Sequence, residues 1–134
     1  MSSYSKNILY VEDDQDDIAI LNDAIEALDT EHHIVPATNG ANALEVLQQM
    51  NKEGELPCLI VLDINMPGMD GKQTLMALQQ ERRYASIPIV LFSTSSSFLD
   101  KAFSELKKVE LLTKPFDVKS LFITASKLLS FCIA

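Results

Sequence analysis

A chain of 134 residues has room for one domain of ordinary size, and 47% hydrophobic with 22% charged residues is the composition of a globular protein with a real core. A formal charge of −8 and a pI near 4.6 repel phosphate backbones and anionic lipid surfaces, which excludes nucleic acid as a partner of this chain alone and favours proteins or cations. The opening "MSSYSKN" has no apolar signal core, no apolar run approaches the ~20 residues of a membrane span, and Cys58 and Cys132 read as small apolar residues of a reducing compartment, so a cytoplasmic protein with no membrane partner is expected.

In chain order, a first strand from Asn7 to Val11 runs into five carboxylates within six positions, Glu12, Asp13, Asp14, Asp16 and Asp17. Asp14 suits an N-cap, and Asp16 and Asp17 suit the positive end of a helix whose apolar face is Ile18, Ile20, Leu21, Ala24, Ile25 and Leu28. His32 and His33 have no cysteine near them in sequence and read as surface or edge residues; the second strand, His33 to Ala37, is marked as an edge by Pro36. A second helix spans about Ala41 to Asn51 on Ala43, Leu44 and Leu47.

The third strand, Leu59 to Leu62, ends at Asp63, and Met66 and Met69 beyond it are read as packing locally. A third helix from about Lys72 to Arg83 buries Leu75, Met76 and Leu78. The fourth strand, Ile87 to Phe92, leads to Ser93, Thr94 and Ser95, and a fourth helix from about Ser97 to Lys107 turns Leu99, Ala102, Phe103 and Leu106 inward. After the fifth strand, Glu110 to Leu112, come Lys114 and then Asp117. Asp117 caps a last helix with Val118, Leu121, Phe122, Ala125, Leu128 and Leu129 as its stripe, prolonged by the apolar Phe131 to Ala134.

Strands alternating with helices predict an α/β fold, an open parallel sheet wound on both faces, in which residues following the strands gather at one edge. Glu12, Asp13 and Asp14, Asp63, Ser93, Thr94 and Ser95, and Lys114 would then share a pocket. Clustered carboxylates without His or Cys call for a hard cation, Mg²⁺ or Mn²⁺. An ammonium and a hydroxyl opposite them suit a transferring phosphoryl group, for which Asp63, placed directly after four apolar residues, is the natural acceptor.

"VEDD" at Val11 to Asp14, "DINMPGMDG" at Asp63 to Gly71, the hydroxyl at Ser93 and "TKPF" at Thr113 to Phe116 resemble the receiver domain of two-component response regulators, in order and at family spacing. The resemblance covers about residues 5–131 of a single domain spanning 1–134, of the stand-alone, chemotaxis-regulator kind. It implies the flavodoxin-like (βα)5 fold, strand order 2-1-3-4-5, and no output domain. It also implies a signalling module rather than an enzyme, phosphorylated on Asp63 by a histidine kinase or His-phosphotransfer protein. Carried over by position, Asp13 and Asp63 bind Mg²⁺ directly, Glu12 through water and Asn65 by its backbone carbonyl. Ser93 is the switch hydroxyl, Thr94 lies beside the phosphate and Lys114 is the lysine of a Lys-Pro pair whose peptide is commonly cis in the family.

The departures are Leu111, where the family has an aromatic switch residue, Thr94 in place of a smaller residue, and "LKKVE" without the usual Gly-Ala. A face made by the fourth helix, fifth strand and fifth helix is expected to bind a downstream protein or a second copy of the chain. Two other readings are a phosphorylation-independent pseudo-receiver, suggested by Leu111 and Thr94, and a small Mg²⁺-dependent aspartyl-phosphate hydrolase. The latter is disfavoured by Asn65 where a second Asp is needed.

Overall fold

The computed structural model describes residues 5–65, 71–94 and 97–132; the expectations for Met66, Met69, Ser95, Ile133 and Ala134 lie outside them. Its elements are β1 (Asn7–Val11), α1 (Gln15–Leu28), β2 (His33–Ala37), α2 (Gly40–Lys52), β3 (Leu59–Asp63) and α3 (Gly71–Gln79). A 3-10 turn (Arg82–Tyr84), β4 (Ile89–Ser93), α4 (Phe98–Lys107), β5 (Glu110–Thr113) and α5 (Val118–Phe131) complete the chain. All strand pairs are parallel, in the order β2-β1-β3-β4-β5, as the sequence predicts, with Pro36 exposed on an edge strand.

Alternation along the strands divides the interior in two. Leu9, Val11, Ile60, Leu62 and Leu91 point to the side covered by α2 and α3, where Ala43, Leu47, Leu75 and Leu78 meet them. Ile8, Tyr10, Leu59, Val61 and Phe92 point to the side covered by α1 and α5, against Ile18, Leu21, Ile25, Ala125 and Leu128. The three central strands are therefore apolar on both faces, the signature of a buried parallel sheet.

Element ends differ from expectation for identifiable reasons. α3 stops at Gln79 because Glu81 adopts an extended backbone (φ −95°, ψ 113°), and the following 3-10 turn delivers Tyr84 into the core. β4 begins at Ile89 rather than Ile87: Ile87 N–H is spent on Tyr84 C=O, and Pro88 has no N–H to give a ladder. α3 starts hard against the end of β3, where a Cβ on Gly71 would lie 2.5 Å from the Asp63 carbonyl oxygen. Only glycine fits that approach.

The expected inward stripe of α4 is not found. Leu99 and Leu106 are 72% and 76% exposed, Ala102 is exposed, Phe103 is half-buried and the single buried position is Ser104. β5 is the edge strand, and its Leu111 and Leu112 are themselves only half-covered, so little sheet lies beneath α4. Ile20, Leu28, Met76, Val118 and Phe122 are likewise exposed rather than buried.

Two further expectations are corrected. Cys58, just before β3, and Cys132, the C-cap of α5, are joined by a disulfide across 74 positions of sequence, and His32 lies beside them. The Lys114–Pro115 peptide is trans. Among the described residues, no helix is long and apolar enough to cross a membrane.

Candidate functional site

Register places the site. Val11 pairs with Leu62, so Glu12 emerges beside Asp63; Asp63 pairs with Phe92 and Ser93 with Thr113, so Ser93 and Lys114 follow along the same edge. Lys114 N–H donates to the Ser93 carbonyl (2.8 Å), which fixes the lysine backbone one step past β5.

Asp63 is 4% exposed, and its two oxygens are used differently. Oδ1 accepts the Asn65 backbone N–H (2.9 Å), and Oδ2 accepts from Lys114 Nζ (3.2 Å). Glu12, 1% exposed, pairs through Oε1 with the same ammonium and accepts the Tyr10 hydroxyl (3.2 Å), while its Oε2 accepts the Asp13 and Asp14 N–H groups (3.0 and 3.4 Å). Carboxylate oxygens of Glu12, Asp13 and Asp63 lie within 4.8 Å of one another, Asp13 facing solvent.

Burial penalises the Glu12 carboxylate most. The Lys114 hydrogen bond opposes that, Asp63 reinforces it, and the Glu12 pKa is pushed up to about 7. Burial also works against the Lys114 charge, but the Glu12 hydrogen bond and the charges of Asp63 and Glu12 outweigh it and hold the ammonium above its ordinary range. Burial, and then Glu12, raise the Tyr10 phenol far beyond neutrality, so it remains a donor. One ammonium thus serves several carboxylates, and the deficit of positive charge is what a divalent cation would make good.

Of the predicted residues, Glu12, Asp13, Asp63 and Lys114 come together. Asn65 lies next to them, its side-chain amide donating to Thr94 Oγ1 (3.3 Å) at the rim. Ser93 is buried in line with them but its hydroxyl donates to Asp100 Oδ2 on α4 (3.0 Å), and Asp100 Oδ1 takes Lys72 Nζ of α3 (3.2 Å). Leu111 packs half-buried against the core cluster on the α2–α3 side.

Sequence reading missed Asp17, Tyr10, Asp100 and Lys72. Asp14 is indeed the N-cap of α1, accepting the Asp16 and Asp17 N–H groups, but the Asp17 carboxylate also reaches Lys114 Nζ (3.2 Å). Acids in the first turn of a helix carry a sufficient local explanation, which hid Asp17 and Asp100 alike. For Tyr10 the signal was present: a phenol two residues before a buried Glu, on the same side of a strand.

The family model for the response regulator receiver domain matches residues 8–126. The chain belongs to that family. As a receiver domain it is the phosphoryl-accepting module of two-component signalling, a class that takes phosphoryl groups from histidine kinases and binds divalent metal. It is 32% identical over 133 residues to the response regulator Rcp1 of a Synechocystis strain, covering 97% of this chain and 90% of that one. The phosphorylated cyanobacterial phytochrome response regulator RcpA superposes with a TM-score of 0.83 at 29% identity, over 96% and 94% of the two chains. The Mn²⁺-bound form of Rcp1 does so with 0.79 at 30%, over 93% and 92%.

Proposed function

We propose that Asp63 is the residue that takes the phosphoryl group, with Mg²⁺ or Mn²⁺ held by Glu12, Asp13, Asp63 and the Asn65 carbonyl, and that the consequence is read on the face formed by α4, β5 and α5. The observation that carries the reading is the placement of a 4% exposed carboxylate at the end of β3, between a lysine ammonium and two further acids. The phosphorylated state of RcpA and the Mn²⁺ in Rcp1 support it. A hard cation bound there supplies charge neutralisation for phosphoryl oxygens.

The chain's own groups account for the rest. An Asp63 carboxylate oxygen attacks phosphorus and the P–N bond of a phosphohistidine donor breaks, the imidazole leaving with the electron pair and taking up a proton. Lys114 stays protonated throughout and offers its N–H to a phosphoryl oxygen. Ser93 exchanges Asp100 for a phosphoryl oxygen, which releases the side-chain tie between β4 and the first turn of α4. With Leu111 in place of an aromatic residue, this tie is the route from the pocket to the outer face.

That face carries exposed Phe98, Leu99, Leu106 and Phe116, an apolar surface suited to a downstream protein or a second copy of the chain. The donor is a histidine kinase or His-phosphotransfer protein, and the protein acts in the cytoplasm.

Incubation with acetyl phosphate and Mg²⁺ followed by intact-mass measurement tests the acceptor. The wild-type chain gains the mass of one phosphoryl group and Asp63→Asn gains none. An equal gain in both would remove Asp63 from the role, and no gain in either would favour a phosphorylation-independent binding module.

A further inference from the structure

At the edge of the sheet opposite the acid pocket, Cys58, Cys132 and His32 place two sulfurs and one imidazole nitrogen within 4.8 Å of one another. They arrive from three separate segments: the residue before β3, the C-cap of α5 and the turn ahead of β2. Cys58 is 1% exposed, whereas Cys132 and His32 are partly exposed, so the group is open on one side. His32 Nδ1 is buried and makes no hydrogen bond. Asp29 Oδ2 lies 3.1 Å away without meeting hydrogen-bond geometry. A buried ring nitrogen without a hydrogen-bond partner is costly unless something else takes it up.

We propose that in the reduced chain these three residues form a soft-metal site for Zn²⁺, and that the disulfide is its closed, metal-free state. Two thiolates and an imidazole are a donor set that selects zinc over the hard ions suited to Glu12, Asp13 and Asp63. Three protein ligands leave the fourth position of a tetrahedral ion to water on the exposed side.

The interconversion balances. A small-molecule thiol or phosphine reductant gives two electrons to the S–S bond, and two protons complete the thiols. On binding, each thiol releases its proton and each sulfur donates a lone pair to the cation, whose own oxidation state is unchanged. Cys132 can shift to accommodate both states because it terminates α5, beyond the last helical residue, Phe131. Cys58 leads directly into β3, the strand that ends in Asp63, so the two sites sit at opposite ends of one strand.

The test uses the full chain, reduced with a phosphine under argon, with excess Mg²⁺ to saturate oxygen-donor sites and Co²⁺ as a spectroscopic stand-in for Zn²⁺. A thiolate-to-cobalt charge-transfer band should saturate at one Co²⁺ per chain and be bleached by one equivalent of Zn²⁺. It should vanish in Cys132→Ser, weaken by at least about tenfold in affinity in His32→Ala, and be unchanged in Asp63→Asn. A reduced chain with two titratable thiols and no such band would overturn the proposal, as would a band indifferent to Cys132→Ser or sulfurs that stay bonded under reductant.

Discussion

β3 is buried at all five positions and ends in the acid pocket, whereas α4 buries only Ser104 along ten residues. The contrast separates two jobs. Charge crowded around Asp63 needs rigid, water-poor walls to hold its geometry, while a surface that reports on that charge must be cheap to move. The two are joined at Ser93, buried on β4 yet hydrogen-bonded to Asp100 on α4.

Truncation should show the difference most strongly. Leu62→Ala, at a fully buried site on β3, is expected to cost ~2–5 kcal/mol in denaturant unfolding. Leu106→Ala on α4 should stay within about 0.5 kcal/mol. Equal costs would mean that α4 is as firmly attached as the core.

The next effect is electrostatic and lies wholly within the pocket. Below its ordinary pKa of 4.5, Glu12 is protonated in the folded and unfolded chain alike; between there and about 7 the folded protein keeps a proton that the unfolded chain has released. Stability of the metal-free protein should therefore fall as pH rises through this window, by up to about 3 kcal/mol at ~1.4 kcal/mol per unit. Urea unfolding in a chelator at pH 5 and pH 8 measures it, and Glu12→Gln should remove most of the difference. A Glu12→Gln chain with the wild-type pH profile would show that Glu12 is not the buried titrating acid.

The pocket was legible in the sequence because Glu12, Asp63 and Ser93 each directly follow an apolar run, and a carboxylate buried there is costly to desolvate without a partner. Glu12, Asp63 and Lys114 could be placed on one edge by topology alone. What could not be read is which second partner a residue takes. Asp17 and Asp100 satisfy helix-start rules and so conceal their contacts with Lys114 and Ser93. Helical period marks the apolar stripe of α4 but says nothing of whether a neighbour exists to cover it, and the edge position of β5 leaves it uncovered. Cys58 and Cys132, 74 positions apart, meet only because α5 returns across the sheet.

A smaller effect than either the core truncation or the pocket titration belongs to the flank. Lys108, the C-cap of α4, sits in left-handed backbone (φ 58°, ψ 44°), the region that favours glycine. Lys108→Gly should raise stability by about 0.5 to 1 kcal/mol, less than the conformational strain relieved because glycine also loosens the unfolded chain. A loss of stability would mean that the lysine side chain contributes more than its backbone costs.

Amide hydrogen exchange read separately over residues 98–107 and over β1 and β3 tests the connection itself. On adding beryllofluoride and Mg²⁺, the first turn of α4 should exchange faster while β1 and β3 stay as protected as before, and Asp100→Asn should show the faster α4 exchange without the phosphoryl mimic. An α4 that is unchanged by the mimic, or an Asp100→Asn chain that exchanges like wild type, would contradict the account.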